Sequence, residues 1–347
     1  MSAVANVITA FEGAPLPDPV RRAAVNMLVS AARRSLASAP RDADQVFARD
    51  MAEFPIAAHT DAANDQHYEL PAAFFEKILG PRLKYSSCLY PAGDESLAEA
   101  EIAALKETCA HADLKNGQDI LELGCGWGSL SLWMAEQYPE ARIVSVSNSA
   151  SQRAFIEERA RVRGLANLHV ITADMNVFAT DGRYDRVVSV EMFEHMSNWR
   201  ALLERVHGWL KPDGAFFMHV FSHKTAPYRF DVDDPSDWIA HHFFTGGLMP
   251  SHALIREFGD LFAVEGDWRW SGSDYQKTAE QWLANYDRHA FALNQVLREV
   301  YGADARLWHR RWRLFFLATA GLFGHANGEE WGVSHYRLRP VAKGLHA

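Results

Sequence analysis

A short apolar run, Ile120-Leu121-Glu122-Leu123, leads directly into Gly124-Cys125-Gly126-Trp127-Gly128, and the residues that follow read as a helix over 129–138. A strand, a glycine-rich turn and a helix bring backbone close to a ligand, while the helix N-terminus offers free amide donors. Further strands are predicted over 142–147, 168–172, 184–190 and 215–221, with helices over 150–163 and 201–210. Gly164 ends the first of these helices as a C-cap, and Lys211-Pro212-Asp213-Gly214 turns the chain into the last strand. Alternation at this spacing implies right-handed crossovers and an α/β fold built on a doubly wound, mostly parallel sheet. Such sheets bind ligands outside the carboxyl ends of their strands.

The turn also narrows what is bound. Its third glycine falls two residues after the second, whereas the dinucleotide pattern wants it three after, where Ser129 stands. The second strand ends in Ser147-Asn148-Ser149 and lacks the acidic residue that would hold a cofactor ribose. Both departures weigh against a nicotinamide or flavin enzyme. Glu122 places a carboxylate at the strand end, suited to an ammonium-bearing ligand rather than a pyrophosphate.

At 347 residues the chain exceeds one minimal domain, and the surplus lies on both sides of this core. Residues 19–54 have helical spacing, 59–66 form a polar break, 68–80 a helix, and the string from Tyr85 to Pro91 a loop over the site. Residues 223–258 are irregular and read as a cap. A strand over 261–270, helices over 276–300 and 303–323, and a strand over 334–339 complete the chain. Net charge is −9, from 35 basic and 44 acidic residues, which disfavours nucleic acid or anionic membrane as a partner. Arg306, Arg310, Arg311 and Arg313, interleaved with Trp308 and Trp312, read as an amphipathic helix rather than a basic binding patch. Three widely spaced cysteines, Cys88, Cys109 and Cys125, argue for a reducing cytoplasm, and neither a secretion signal nor a membrane-spanning run is recognised.

Glu191, Glu194 and His195 stand where the fourth strand gives way to a turn. Helical spacing would bring all three near one face, aimed into the crevice. A histidine held by a carboxylate is a suitable base near neutral pH. His219, His223, His241 and His242 show no ligand spacing, so no metal is expected.

The string ILELGCGWGSLS resembles the first motif of class I S-adenosylmethionine-dependent methyltransferases. HYELP (67–71), LKYSSCLYP (83–91), SVSNSASQ (145–152), VEMFEHM (190–196), HVFSHK (219–224), HHFFTGGLMPS (241–251) and DYQKTAEQW (274–282) are similar to the cyclopropane fatty acid synthase group. Within that group they resemble most the plant coclaurine-type alkaloid N-methyltransferases. The resemblance implies a Rossmann-like, seven-stranded sheet with an N-terminal helical arm (1–66), a cofactor-covering helix and loop (67–96), a cofactor-binding core (97–221), and a substrate cap with added helices and the final strands (222–347). It also implies S-adenosyl-L-methionine as cofactor, leaving as S-adenosyl-L-homocysteine. Tyr85 and Ser86 would close over its methionine part beside Gly124 and Gly126, Asn148 and Gln152 would take the ribose, and Asp174, Met175 and Asn176 the adenine. Methyl transfer to an amine requires the amine to lose its proton. Glu194 and His195 are assigned that work, with Glu191 bridging cofactor and substrate. The acceptor is expected to be a small aromatic or amphipathic amine, with Phe221, Tyr228, Phe243, Phe244, Trp268 and Trp270 available to line its pocket. The alternative is cyclopropanation or carbon methylation of acyl chains, for which Cys88, Glu194, His219 and Tyr275 would build a bicarbonate site. No stable membrane insertion is expected, and the helical arm is a surface through which a homodimer would form.

Overall fold

The computed structural model describes residues 16–58, 70–234 and 237–342, together with Glu12 and Ala14. The helical arm is two helices, α1 (Asp18–Leu36) and α2 (Ala43–Asp50), because Pro40 interrupts the single predicted run. The polar break over 59–66 and the start of HYELP lie outside the described residues. Helix α3 (Ala72–Ile78) precedes the loop from Leu83 to Pro91, and α4 (Leu97–His111) opens on a complete capping box between Ser96 and Glu99. That box satisfies two orphan amides reciprocally. Ser96→Ala is expected to cost about 1 kcal/mol in chemical denaturation.

The core then alternates as expected: β1 (Asp119–Leu123), α5 (Ser129–Gln137), β2 (Arg142–Ser147), α6 (Ala150–Val162), β3 (Leu168–Thr172), β4 (Tyr184–Val190), α7 (Trp199–Trp209) and β5 (Leu210–His223). Strand β5 begins earlier than predicted, because Leu210 pairs with Tyr184 across an irregularity that absorbs the Pro-Asp-Gly turn. The cap contains β6 (Tyr228–Arg229), α8 (Trp238–His242) and β7 (Leu248–Met249), with β6 and β7 paired as a small ribbon. Strand β8 (Phe262–Ser271) follows. The helix predicted over 276–300 is instead α9 (Gly272–Arg288) and α10 (Ala290–Tyr301), broken at His289, whose Nδ1 bonds to the Asn285 carbonyl. Helix α11 (Ala305–Phe323) and β9 (Trp331–Pro340) complete the described chain.

The seven-stranded sheet has the order β3-β2-β1-β4-β5-β9-β8. Only β9 runs against the others, since it is antiparallel to both β5 and β8 while the remaining pairings are parallel. Strand order reverses between β1 and β4, so the crevice opens beside the carboxyl end of β1. The arginine run on α11 is structural: Arg313 bonds to Asp18 on α1 and Asp287 on α9, and Arg311 to Glu12. The Arg313 pairs are partly exposed and weakly stabilising, typically up to about 1 kcal/mol each. Among the described residues no helix is long and apolar enough to cross a membrane.

Candidate active site

The backbone at Gly124 and Gly126 is left-handed, with φ of 78° and 50°, a region that costs a side chain dearly. At Gly124 a Cβ would collide with Met192, and at Gly126 it would meet no atom within 4 Å. The first glycine therefore lets the fourth strand's exit approach the turn, and the second leaves its backbone bare toward a cavity of about 1090 Å³. A cavity of that size holds a nucleoside-sized cofactor and a small acceptor together.

The cavity brings together most of the predicted residues: Tyr85, Ser86, Glu122, Gly124, Gly126, Gln152, Glu191, His195 and Tyr275 all line it. Asn148, Asp174, Met175, Asn176, Glu194 and His219 are not among its lining residues. Asp174 accepts the Asn176 amide at 2.7 Å as an Asx-turn, and the Asn176 carboxamide bonds to both N and O of Ala57 at 3.0 Å. Asn176 thus ties down the segment that leads into residues 59–69. Glu122 is buried and accepts from Ser131 and, at 2.7 Å, from Ser145; burial pushes its carboxyl up to about 7. Gln152 accepts from Ser147 Oγ at 2.7 Å, which fixes the orientation of its amide.

The Glu-Met-Phe-Glu-His string does not form the expected α-helical turn. Glu191 is left-handed at φ 46°, and only Phe193–His195 closes into a 3₁₀ turn. A glutamate in that conformation is strained and needs its surroundings to hold it. Its amide donates to the His219 carbonyl at 2.8 Å. Its carboxylate accepts from Ser87 N at 2.9 Å on Oε1 and from Tyr275 OH at 2.7 Å on Oε2, and Oε1 also lies 3.1 Å from His219 Nε2, which donates or accepts according to its tautomer. Burial raises the Glu191 carboxyl above its ordinary range, opposed by the nearby Lys84 ammonium and these hydrogen bonds. Glu194 turns the other way, accepting Phe221 N at 2.6 Å on Oε1. Its Oε2 has no hydrogen-bond partner among the described residues. Burial, then the charge of Glu191, push Glu194 well above the usual carboxylate range and favour its neutral form.

His195 faces the cavity with its ring 4.4 Å from Phe244, which packs in turn on Phe221 and Phe230. Tyr228 also lines this wall. Three of the predicted pocket aromatics lie elsewhere. Phe243 stacks on Phe315 in the core, Trp268 stacks on His111, and Trp270 packs on His219 and His335. Cys88 is fully buried, its thiol pushed up to about 12 by desolvation, which leaves it inert. Lys84 was not singled out from sequence; it lies under the loop with Nζ bonded to Ser86 Oγ at 2.6 Å and Ser87 O at 2.5 Å. Its signal was its place two residues before the Ser-Ser pair.

A reversing parallel sheet, a bare glycine turn at its switch point and a buried acid at the first strand's end define a class I S-adenosylmethionine-dependent methyltransferase, with the Rossmann-like sheet of that class. The chain belongs to the family described as mycolic acid cyclopropane synthetase, whose model matches residues 57–329. It is 36% identical over 288 residues to an (S)-coclaurine N-methyltransferase of Thalictrum flavum subsp. glaucum, covering 82% of this chain and 80% of that one. It is 31% identical to the cyclopropane-fatty-acyl-phospholipid synthase of Escherichia coli (strain K12), over 77% of this chain and 66% of the other. A crystal structure of coclaurine N-methyltransferase bound to N-methylheliamine and SAH superposes with a TM-score of 0.93 at 30% identity, covering 97% of this chain and all of that one.

Proposed function

We propose that the protein transfers a methyl group from S-adenosyl-L-methionine to the nitrogen of a small aromatic or amphipathic amine, of the tetrahydroisoquinoline kind. The observation that carries this reading is the state of Glu191. His219 and Tyr275, which a bicarbonate site would need as free donors, are both spent on its carboxylate. A fixed protein carboxylate therefore stands where cyclopropanation would place a soluble anion. It faces a cavity walled by Phe221, Tyr228, Phe230 and Phe244, a surface that attracts a cationic amine. The similarity to coclaurine N-methyltransferases points the same way.

When bound, the cofactor supplies an electrophilic methyl group on its sulfonium. Glu122, Gly124, Gly126, Tyr85 and Ser86 hold its methionine end in this reading, and Gln152 with Asn148 the ribose. Asp174 and Met175 serve the adenine, while Asn176 holds the covering segment. Glu191 attracts the ammonium form of the acceptor and takes its proton, with His195 on the same wall as its partner. Glu194, neutral and behind the wall, keeps a second negative charge out of the site. Tyr275 and His219 hold the Glu191 carboxylate in place. Of the described residues, 70–96 cover the core of 97–221, and those of the cap and added helices up to 342 shape the acceptor pocket.

The test is to incubate the protein with methyl-labelled cofactor and, separately, with a tetrahydroisoquinoline amine and with unsaturated phospholipid vesicles. Label is expected on amine nitrogen, at a rate unchanged when bicarbonate and carbon dioxide are stripped from the buffer. Methylene inserted into acyl chains, with no amine product, would sink the proposal.

A further inference from the structure

Behind Glu191 lies a line of three buried histidines, of which the chemistry above uses only His219, and that one only to hold the carboxylate. His219 Nδ1 meets His335 Nε2 at 2.8 Å, His335 Nδ1 meets His111 Nδ1 at 2.8 Å, and His111 Nε2 lies 3.0 Å from Glu107 Oε1. With the contact from His219 Nε2 to Glu191, all six ring nitrogens are engaged in one chain. Sheet register builds it: Val190 of β4 pairs with His219 of β5, His219 with His335 of β9, and His335 with Trp268 of β8. Trp268 then stacks on His111 at 3.9 Å, at the end of α4. His219 and His335 are fully buried, His111 nearly so, and the Glu107 side chain is 46% exposed. The line runs from the cavity to the surface.

We propose that His219, His335 and His111 form a proton relay between Glu191 and the surface carboxylate of Glu107. Apolar residues would fill a core as well at lower cost, since buried polar networks stabilise only when fully satisfied. Burial, with Lys84 and the neighbouring imidazoles adding to it, holds His219 and His335 well below the usual histidine range. Each is neutral, with one N–H and one lone pair, as a relay requires. The charged and titratable groups around the line are Lys84, Glu191 and Tyr275 at its inner end, and Glu107 and Arg337 at its outer end. Arg337 donates to the His111 carbonyl and lies over Trp268.

With both carboxylates ionised, three neutral rings offer three N–H protons to four contacts. A fourth proton completes the chain, and it has two resting places, Glu191 or Glu107. In one passage the Glu191 O–H proton moves to His219 Nε2 while His219 Nδ1–H passes to His335 Nε2. His335 Nδ1–H then passes to His111 Nδ1, and His111 Nε2–H to Glu107, which yields a proton to solvent. Glu191 is left ionised and every ring neutral. Each ring ends in its other tautomer and must turn, or exchange with solvent, before the next passage.

The relay rests on Glu191 as the proton acceptor of the proposed amine chemistry, so its test has an arm independent of turnover. Nitrogen-15 NMR of histidine-labelled protein, without substrate, reads the tautomer of each ring. Glu107→Gln is expected to shift the balance between Nδ1 and Nε2 protonation at His219, three links away. An unmoved His219 signal overturns the relay. In turnover, His335→Phe and Glu107→Gln are expected to lower kcat about tenfold in dilute buffer, with the amine KM unchanged and kcat restored by imidazole buffer. Wild-type kcat in Glu107→Gln at low buffer, or a loss that imidazole does not restore, also overturns it. If the wild-type chain methylates no amine, the amine reading falls while the NMR arm still decides the relay.

Discussion

Glu191→Gln is expected to lower kcat by about 10²–10⁴-fold while cofactor affinity, measured by calorimetry, stays within a few-fold of wild type. That range is what a positioned proton acceptor contributes. Glutamine keeps the volume, and with its carbonyl accepting from Ser87 N its NH2 can donate to the Tyr275 hydroxyl oxygen, so both contacts that hold the side chain against the cavity survive. It cannot take the proton from an ammonium. The carboxylate touches none of the predicted cofactor residues Glu122, Gly124, Gly126 or Gln152 by hydrogen bond in the structure. A split between lost turnover and retained binding is therefore the signature. Tight binding with full turnover would remove Glu191 from the chemistry and return the base to the Glu194 and His195 pair.

The largest expected loss of stability lies away from that carboxylate, at Trp312. Its side chain is fully buried, 4.9 Å from Phe74 of α3, 5.0 Å from Phe243 beside α8, and 6.0 Å from Phe316 of its own helix. It therefore joins the covering helix, the cap and α11 at one point. Trp312→Ala is expected to destabilise the chain by about 3–5 kcal/mol, as removal of a large buried aromatic does when the site cannot collapse. Three separate elements converge there, which limits collapse. Denaturation with urea measures it, and a loss under about 1 kcal/mol would mean that the helices close over the space.

The alternating core was legible because its signal is local. A buried strand, a glycine turn and a helix follow one another within twenty residues from Asp119 to Tyr138, and the alternation that follows implies parallel strands joined by right-handed crossovers. Most of the cavity residues were legible for the same reason, since Glu122 and Gly124 stand at the end of β1 and Gln152 in the first turn of the helix after β2. The orientation of Glu191 against Glu194 was not. Helical spacing puts both on one face, but the left-handed backbone at Glu191 aims it at Tyr275 while Glu194 caps Phe221. The histidine line was hidden altogether. His219 and His335 are 116 residues apart, and His335 and His111 are 224 apart, so the register of β5 with β9 brings the first pair together and the packing of α4 against β9 the second. Trp268 and Trp270 were misread as pocket aromatics because alternation along β8 gives their faces but not what covers each face.

The order in which a ribosome delivers these strands differs from the order in which the sheet needs them. β9, at Trp331–Pro340, is made after both β5 and β8, yet it lies inside the sheet between them. A nascent chain that has emerged only as far as Gly328 has no neighbour for β5 on that side, and β8 has no partner in the sheet. Two strand edges remain open, a state that invites pairing with another chain. Synthesis at about 5–20 residues per second would leave β8 waiting several seconds for its partner. The protein's exposure to misassembly is thus concentrated in that interval, when a chaperone that shields strand edges would have the most to offer.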